Sequence, residues 1–418
     1  MRCRFAGFIF LPLAALSLIG CASNRVFDTP LEPRSAVRTP DFRQAISSLL
    51  GGAHVHGNRV TTLTNGDEIF PAMLREIRGA KKTITFETYV FEEGEVPQAF
   101  AEAFAERARA GVKVHLILDA HGAKKSRAYH PALREAGAQL VKFHEVWYPD
   151  LRRYNNRTHR KLLVIDGKVG FIGGVGIADL WAGNADSPKH WRDCHYRLEG
   201  PVVAQLQAAF VDNWLKSTDE LLFGPDYFPP LRPAGQVSGS VFYSSPHRGN
   251  YGVPLLYHLT IASARESLRI ENAYFVPDRA MVQALIAAAQ RGVRVQIIVP
   301  GRHIDQKAVR RASRRSWSRL LNGGVEIYEY APTMIHSKLL IADGLFVSVG
   351  SANFDNRSMR LNDEANFNSL NAAFAAEQTR IFQRDLASSE RVTLENMDDE
   401  TLVEQPVKIA ETPLEGQL

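Results

Sequence analysis

A histidine, a lysine and an aspartate recur at the same intervals at two places in the chain, in the pattern His-x-Lys-x-x-x-x-Asp. The first copy lies within THRKLLVIDGKVGFIGG and the second within IHSKLLIADGLFVSVGS. Because lysine and aspartate each make up about one residue in twenty, a given histidine meets the pattern by chance roughly once in 400. Two copies with matching flanks therefore indicate a repeated functional unit. The repeated residues are His159, Lys161 and Asp166 in the first copy and His336, Lys338 and Asp343 in the second.

Two histidines and two lysines at this spacing could act together on one phosphate. On a strand, residues i and i+2 face the same side, so each histidine and its lysine should point into one pocket. Lysines can neutralise the oxygens of a phosphodiester, a neutral imidazole can attack phosphorus, and a protonated imidazole can give a proton to the leaving alcohol. Each copy supplies one histidine, so the two copies must face each other. We expect His159 and His336 to differ in protonation, with the difference set by neighbouring carboxylates.

Asp166 and Asp343 complete the signature and count with it as candidate catalytic residues. Each is followed directly by glycine, and Asp-Gly is typical of tight turns. A structural role is therefore favoured for both aspartates, with a catalytic role as the alternative.

An internal repeat predicts the elements that position the two copies. Each half reads as a strand, a loop, an amphipathic helix, a terminating glycine, a second strand and then a hairpin that carries the motif. A strand–helix–strand unit implies a parallel pair, so the predicted fold class is α/β, with two similar halves packed as a pseudodimer around one active site. The predicted strands are 83–90 and 112–118 in half one, and 268–275 and 293–299 in half two, with Gly111 and Gly292 closing the helices.

Glu87 and Glu271 occupy equivalent places on the first strand of each half. They either line the site or form buried pairs with a lysine or arginine.

The chain divides into five predicted segments. An apolar stretch after Arg2 and Arg4 suits a signal peptide, and it ends in Leu18-Ile19-Gly20-Cys21, which resembles the lipobox of bacterial lipoproteins. That resemblance implies lipidation of Cys21; the alternative is a plain secretory signal. The segments are a lipoprotein signal peptide (1–20), a tether (21–55), half one (56–230), half two (231–395) and an acidic tail (396–418).

Composition limits the ligands and the chemistry. The 418 residues are 45% hydrophobic, enough for two domains, and 50 basic residues against 45 acidic ones suit an anionic ligand or membrane surface without requiring nucleic acid. With three cysteines, two of them in the signal region, no disulfide framework or cysteine-based metal site is expected. The basic stretch 302–319 could dock on lipid headgroups, form a solvated helix face or line a nucleic-acid groove.

The motifs resemble those of a known family. The doubled motif, together with the Gly-Ser-x-Asn-x-Asp-x-Arg-Ser run at 350–358, looks like the phospholipase D superfamily. Further segments resemble its bacterial cardiolipin synthase branch, and the resemblance covers roughly residues 58 to 395. These segments include TYVFEE, RAGVKVHLILD, HWRDCHYRLEGPVV, AYFVPD and SANFDNRSMRLNDEANF.

The resemblance implies a role for each site residue. His159 would be the nucleophile and His336 the general acid and base, while Glu364 matches the position that orients a catalytic histidine and Asp193 is its counterpart in half one. At the places of Ser351 and Asn353, half one has Gly174 and Gly176, whose segment could offer backbone N–H groups instead. The residues implied to bind phosphate are Lys161, Lys338, Ser351 and Asn353.

The implied activity is transfer of a phosphatidyl group between phospholipids through a phosphohistidine intermediate, without a metal or other cofactor. Phosphatidylglycerol is the expected substrate, with phosphatidylethanolamine as a possible donor. The alternatives are hydrolysis to phosphatidic acid and, with less support, cleavage of nucleic acid. Ala22 and Ser23 follow Cys21 without an aspartate, which by resemblance favours a periplasm-facing anchor in the outer membrane over one in the inner membrane.

Overall fold

The computed structural model describes residues 29–32, 34–144, 156–246 and 250–397. The predicted signal peptide, Cys21 and residues 398–418 of the predicted tail lie outside the described residues. In the described ranges, no helix combines the length and apolar character needed to cross a membrane.

One mixed sheet of fifteen strands runs through both halves, in the order β15-β11-β10-β9-β12-β13-β14-β8-β1-β7-β6-β5-β2-β3-β4. The antiparallel pair β1 and β8 joins the halves at the centre of this sheet. The strands are β1 (Val55–Thr64), β2 (Thr83–Thr88), β3 (Lys113–Asp119), β4 (Gln139–Phe143), β5 (Leu162–Ile165), β6 (Val169–Gly173), β7 (Cys194–Glu199), β8 (Val237–Ser244), β9 (Ser267–Asn272), β10 (Arg294–Pro300), β11 (Glu326–Tyr330), β12 (Lys338–Ala342), β13 (Phe346–Gly350), β14 (Glu364–Leu370) and β15 (Ser389–Arg391).

Helices cover both faces of the sheet. Short 3-10 helices occupy Lys124–Tyr129 and Asp179–Trp181. The α-helices are α1 (Pro40–Leu49), α2 (Asn65–Gly79), α3 (Glu95–Arg109), α4 (His130–Glu135), α5 (Val203–Thr218), α6 (Gly252–Ser263), α7 (Arg279–Gln290), α8 (Lys307–Arg314), α9 (Trp317–Asn322), α10 (Asn356–Arg360) and α11 (Ala372–Ala387).

The two halves have the same strand arrangement, which confirms the predicted pseudodimer. Strands β2, β3 and β4 are parallel, as are β9, β10 and β11 in half two. The motif hairpin β5–β6 pairs antiparallel with β2, and the hairpin β12–β13 pairs antiparallel with β9. Gly111 and Gly292 have φ of 85° and 90°, the left-handed conformation expected after a helix.

Three large apolar clusters form the core of the protein. One lies on the outer side of each half, and a third lies between them. The central cluster takes Phe210 and Trp214 from α5 of half one and Phe367 and Phe374 from half two, all almost fully buried. The halves therefore form one continuous body, and their facing surfaces are fixed by a shared core.

The predicted tether is wrong for its second part. Thr39 caps α1, which begins with Pro40, a favoured first helical residue. Phe42 and Ile46 lie four residues apart on one face of α1 and are fully buried in the core of half two, where the Phe42 ring packs edge-on against Phe346 at 5.4 Å. Burial of these side chains makes residues 40–49 part of the folded body.

Candidate active site

Backbone contacts across the interface bring the two motif copies together. The amide of His159 in half one donates to the carbonyl of Asp363 in half two at 2.9 Å. The amide of His336 in half two donates to the carbonyl of Arg192 in half one at 2.7 Å. Each histidine thus lies just before a motif strand and is fixed by a strand edge from the other half. The arrangement places both imidazoles at the seam between the halves.

The carboxylates that hold the histidines are exchanged between the halves. His159 Nδ1 lies 2.9 Å from Glu364 Oε1, and His336 Nδ1 lies 2.9 Å from Asp193 Oδ2. Both carboxylates are fully buried. An ionised carboxylate accepts from Nδ1–H, which leaves the Nε2 lone pair of the imidazole toward the pocket. The sequence predicts Asp193 as the half-one counterpart of Glu364, but the structure pairs it with His336 of half two.

Two further donors hold each carboxylate. Glu364 accepts from the hydroxyls of Ser351 at 2.5 Å and Ser358 at 2.6 Å. Asp193 accepts from the indole N–H of Trp181 at 3.0 Å and the amide of Cys194 at 2.8 Å. The fully buried Ser351 hydroxyl is thus directed at Glu364, and its predicted contact with phosphate stays a prediction.

The glycines of half one follow from this arrangement. A Cβ on Gly174 would lie 2.4 Å from the Asp193 carboxylate, and a Cβ on Gly176 would lie 2.7 Å from Val90. The amide of Gly174 donates to the carbonyl of Cys194 at 3.3 Å, so it does not offer the donor predicted for phosphate. These glycines make room for the Asp193 carboxylate and the Trp181 ring.

The motif lysines lie beside the histidines. Lys161 Nζ donates to the His159 carbonyl at 2.7 Å, and Lys338 Nζ donates to the His336 carbonyl at 2.5 Å. Burial lowers the pKa of Lys161 to about 7 and that of Lys338 to about 8, although nearby Glu364 and Asp193 oppose the decrease. A bound phosphate anion would favour the charged form of both lysines.

Burial also lowers the pKa of both histidines. The pKa of His159 falls to about 4, with Glu364 opposing the change, and that of His336 falls to about 3, with Lys338 adding to the effect of burial. Burial therefore favours the neutral form of both imidazoles in the protein by itself, and the predicted difference in protonation between His159 and His336 stays a prediction for the site with phosphate bound. A neutral imidazole is the form that can attack phosphorus.

The aspartates of the signature lie at the far end of the motif strands. Asp166 accepts from the amides of residues 81, 82 and 83, and Asp343 accepts from those of residues 265, 266 and 267, at 2.7 to 3.1 Å. Both have a positive φ, 52° and 50°, within their Asp-Gly turns. A catalytic role for these residues is contradicted, and the structural alternative is the one that the contacts support.

Buried charged residues lie behind the site. Glu87 is fully buried and accepts from Asn213 at 2.6 Å and from Thr158. Burial raises its pKa to about 7, against the opposing charge of Arg160. Glu271 is equally buried, and its pKa is raised to about 8 mainly by burial. Neither glutamate lines the cavity at the histidines. Each lies near the charge of an arginine, Arg160 for Glu87 and Arg192 for Glu271, but in the described ranges neither forms the predicted ion pair within 4.0 Å.

Two buried arginines next to the site, Arg192 and Arg160, pair with buried or partly buried aspartates. Arg192 makes a two-pronged ion pair with Asp385, at 2.9 and 2.7 Å. Arg160, fully buried between His159 and Lys161, donates to Asp212 at 3.1 Å.

A cavity of about 280 Å³ opens over the two histidines. The rings of Trp181 and Trp191 lie 5.3 and 5.5 Å from the His336 ring, and the Tyr89 ring lies 5.4 Å from the His159 ring. Among the described residues, no group of three or more metal-ligating side chains is placed to hold an ion. The cavity is lined by Tyr89, Val90, Arg157, His159, Lys161, Trp181, Trp191, Tyr274, Asp305, Gln306, Val309, His336, Asn353, Asp355, Arg357 and Asn362.

The basic stretch 302–319 is only partly available as a surface. Arg310 forms an ion pair with Glu329 at 2.8 Å, and Arg314 lies 3.6 Å from the same carboxylate. Trp317 is fully buried under Arg314. Arg310 and Arg314 therefore anchor α8 to β11, while Lys307, Arg315 and Arg319 remain exposed.

Sequence reasoning missed Trp181, Ser358 and the two arginines Arg157 and Arg357. Ser358 and Arg357 stand in the 350–358 run, so their place in the motif was a usable signal. Trp181 lies in no repeated segment, and its role is to donate a hydrogen bond to Asp193, a contact that the sequence does not indicate.

Each half contributes a histidine, a lysine and a carboxylate that holds the histidine of the other half. This arrangement is typical of proteins that process phosphodiesters with two histidines. The family model described as "Cardiolipin synthase, PLD-like domain" matches residues 73–180 and 257–386. The chain belongs to this cardiolipin synthase family of phospholipase D-like proteins.

Two relatives agree with this assignment, and a solved structure shares the fold. The chain is 38% identical over 313 residues to "Cardiolipin synthase" of Geobacillus kaustophilus, a match that covers 74% of this chain and 62% of the relative's length. It is 36% identical over 351 residues to "Cardiolipin synthase" of Geobacillus sp. WCH70, covering 83% of this chain and 69% of the relative. The chain thus spans a little under two thirds of the first of these relatives. The phosphatidylserine synthase structure from Haemophilus influenzae matches 91% of this chain and all of its own, with a TM-score of 0.68 at 14% identity, a likeness of fold.

Proposed function

We propose that this protein transfers a phosphatidyl group from one phospholipid to a hydroxyl of another, forming cardiolipin from phosphatidylglycerol. The observation that carries the proposal is the exchanged pairing of His159 with Glu364 and of His336 with Asp193, which turns two similar halves into one site with two oriented imidazoles. The 36–38% identity to proteins named cardiolipin synthase supports the same reaction.

In the first step, His159 Nε2 attacks the phosphorus of the donor phospholipid. The bond between phosphorus and the headgroup oxygen breaks, and His336 gives a proton to the departing alkoxide. The product is a phosphatidyl group bonded to His159 and a free alcohol, which is glycerol when the donor is phosphatidylglycerol. Glu364 stabilises the positive charge that His159 gains.

In the second step, a hydroxyl of the acceptor phospholipid attacks the same phosphorus. His336 takes the hydroxyl proton, the bond from phosphorus to His159 breaks, and Nε2 recovers its lone pair. Lys161 and Lys338 stabilise the charge on the phosphoryl oxygens in both steps. His336 must be protonated before the first step, and a bound phosphodiester anion raises the pKa of a neighbouring imidazole.

The size of the cavity supports a headgroup-binding site. Its volume of about 280 Å³ is just below the usual range for ligand pockets, roughly 300 to 1,000 Å³. The reacting phosphate and headgroup fit this space, while the acyl chains stay outside it. We infer that the mouth of the cavity faces a membrane surface.

A lipid anchor at Cys21, after removal of a signal peptide, would hold the protein at the membrane facing the periplasm, with the outer membrane favoured. The segment ending in Leu18-Ile19-Gly20-Cys21 supports this proposal. Metabolic labelling with a radioactive fatty acid tests it: label is expected on the natural protein and not on Cys21→Ala.

A lipid assay tests the activity. Purified protein is mixed with phosphatidylglycerol carrying labelled acyl chains, and the products are separated by chromatography. Labelled cardiolipin is expected from the natural protein and not from His159→Ala. Phosphatidic acid as the sole product would make the protein a hydrolase and overturn the transferase proposal. Cleavage of DNA without any lipid product would indicate a nuclease.

A further inference from the structure

A second histidine of half one lies in the same row of the sheet as the motif lysine. Gly173 on β6 pairs with His195 on β7. The pairing of β5 with β6 sets Leu162 opposite Ile172, so continuing its register by one residue places Lys161 opposite Gly173. Residues directly opposite each other on antiparallel strands face the same side of a sheet. Lys161 and His195 therefore lie on one face, with only a glycine between them.

The His195 imidazole lies over this glycine. A Cβ on Gly173 would stand 2.5 Å from His195 Nδ1, so a side chain at this position would displace the ring. His195 is 1% exposed. Burial lowers its pKa to about 4, Asp193 opposes the change, and the charge of Lys161 adds to it. The Lys161 ammonium is thus within electrostatic reach of a neutral, buried imidazole.

Half two has the same row with a different polar residue. Gly350 pairs with Asn366, and the register of β12 and β13 continues to Lys338 opposite Gly350. A Cβ on Gly350 would stand 2.5 Å from Asn366 Oδ1. Asn366 Nδ2 donates to the Ser348 hydroxyl at 2.9 Å, and its Oδ1 accepts from the amide of Ala352 at 3.2 Å. In half two this residue ties neighbouring segments together through protein contacts.

His195 differs from Asn366 in its hydrogen bonding. Phe171 stands where half two has Ser348, so the hydroxyl partner is replaced by an apolar ring. Within the described ranges, neither ring nitrogen of His195 bonds to another residue. A neutral imidazole has one donor and one acceptor, and buried polar groups are nearly always matched by protein or by ordered water. Buried water is therefore the expected partner of this ring.

Lys161 has donors for such a water. An ammonium carries three N–H groups, and one of them is directed at the His159 carbonyl at 2.7 Å. A second is required for the substrate phosphate, which leaves the third for the side where His195 lies. The Asp193 carboxylate already accepts three hydrogen bonds, from His336, Trp181 and the amide of Cys194. The charged groups that act on Lys161 are Glu364, Lys338, Asp193 and Asp119, and those that act on His195 are Asp193 and Lys161.

We propose that His195 is a positioning residue for Lys161: buried water matches its ring nitrogens, and the water at Nδ1 also accepts a hydrogen bond from the Lys161 ammonium. This contact aims the ammonium at the phosphate and stabilises its charged form in a buried place. It belongs to half one only, because Asn366 is held by protein groups in half two. The inference rests on the proposed function, in which Lys161 stabilises the phosphoryl oxygens.

A high-resolution crystal structure of the full chain tests the water directly. Density is expected for a buried water within hydrogen-bond distance of both His195 Nδ1 and Lys161 Nζ. A His195 ring with no such water, or one that bonds to a protein group instead, would overturn the proposal. This result does not depend on the activity of the protein.

The pH dependence of turnover tests the effect on Lys161. The rate is the total consumption of labelled phosphatidylglycerol, so that cardiolipin and phosphatidic acid count together. His195→Leu removes the hydrogen-bonding ring, and His195→Gln keeps a side-chain acceptor. His115→Leu is the matched control, because His115 is a buried histidine of the same half that packs against Trp214 and Tyr227 and does not line the cavity. Circular dichroism establishes that each variant is folded.

His195→Leu is expected to decrease kcat about tenfold with little change in KM, as when one hydrogen bond to a charged group is lost. The alkaline limb of its pH profile should move to lower pH by about one unit, because the ammonium loses a partner that favours its charged form. His195→Gln and His115→Leu should keep the profile of the natural protein.

Three results would overturn the role of His195. They are a His195→Leu profile within about twofold of the natural one at every pH, the same shift in His115→Leu, and the same shift in His195→Gln. Absence of any lipid turnover by the natural protein would instead overturn the proposed function, and the crystal structure would then decide whether His195 and Lys161 share a water.

Discussion

Replacement of Glu364 by glutamine tests the exchanged carboxylates most sharply. The Glu364 side chain is fully buried and accepts hydrogen bonds from His159, Ser351 and Ser358, all within 3.0 Å. Glutamine has nearly the same shape, but one of its two terminal atoms is an N–H₂ group that donates. One of the three contacts must therefore be lost or reversed, and the negative charge beside His159 disappears.

The magnitude follows from these contacts. Loss of one hydrogen bond to a charged group removes about 1.5–3 kcal/mol, or roughly 10- to 150-fold in rate. If His159 also takes the tautomer with its proton on Nε2, the attacking lone pair is blocked, and the same change in a serine protease triad decreases kcat by about 10⁴. We expect Glu364→Gln to decrease kcat by roughly 10² to 10⁴, with little change in KM.

A quenched-flow assay of the first step, with labelled phosphatidylglycerol, measures this effect. Glu390→Gln serves as the control, because Glu390 is an exposed glutamate on β15 of the same half. Circular dichroism and urea denaturation establish that the variant is folded. A loss of less than about threefold in the folded variant would refute the conclusion that Glu364 orients His159.

Three other substitutions extend the account. Asp193→Asn should slow transfer from natural lipids roughly a hundredfold, because His336 can no longer act as an acid. The rate on a p-nitrophenyl phosphodiester should decrease by less than about tenfold, since that leaving group needs no proton. Equal losses on both substrates would contradict the role of Asp193. Asp343→Ala should lower the free energy of unfolding in urea by roughly 2 kcal/mol or more, because three backbone amides lose their acceptor. The kcat of the folded variant should stay unchanged. A stable but inactive variant would restore a catalytic role for Asp343. For Glu87, burial raises the pKa from 4.5 to about 7, so its stabilising contribution is complete below pH 4.5 and is lost as the pH rises toward 7. Between pH 4.5 and 7, the free energy of unfolding should therefore decrease by roughly 2–4 kcal/mol less in Glu87→Gln than in the exposed-site control Glu93→Gln. An equal decrease in both variants would argue against the raised pKa.

The parts of the fold that depend on residues close together in the sequence could be predicted. The parallel strand pairs followed from apolar strands flanking an amphipathic helix, and the motif hairpins followed from the Asp-Gly turns at 166–167 and 343–344. The two histidine and lysine pairs could be placed in one site because a repeated half-site must be completed by its copy.

The pairing of side chains across the halves could not be predicted. Glu364 follows His336 by 28 residues in the same half, yet it holds His159, because β14 of half two lies beside the segment that precedes β5 of half one. Ser351 stands at a family position associated with phosphate, but its orientation depends on where Glu364 projects. Such contacts are set by how the two halves dock, which local patterns do not encode.

Composition was misleading for the N-terminal segment. Prolines, arginines and serines between residues 22 and 55 are typical of a linker, and this hid the spacing of Phe42 and Ile46 on one face of a helix. A helix of ten residues has little stability by itself, so its formation depends on burying those two side chains against half two.

The central claim is that His159 carries the phosphatidyl group and that His336 does not. The direct measurement is to mix the protein with ³²P-labelled phosphatidylglycerol, quench with alkaline denaturant within one turnover, digest and sequence the labelled peptide by mass spectrometry. The account predicts a phosphorus–nitrogen adduct on the peptide containing His159 and none on that containing His336. An adduct on His336, or full turnover with no adduct on either histidine, would contradict it.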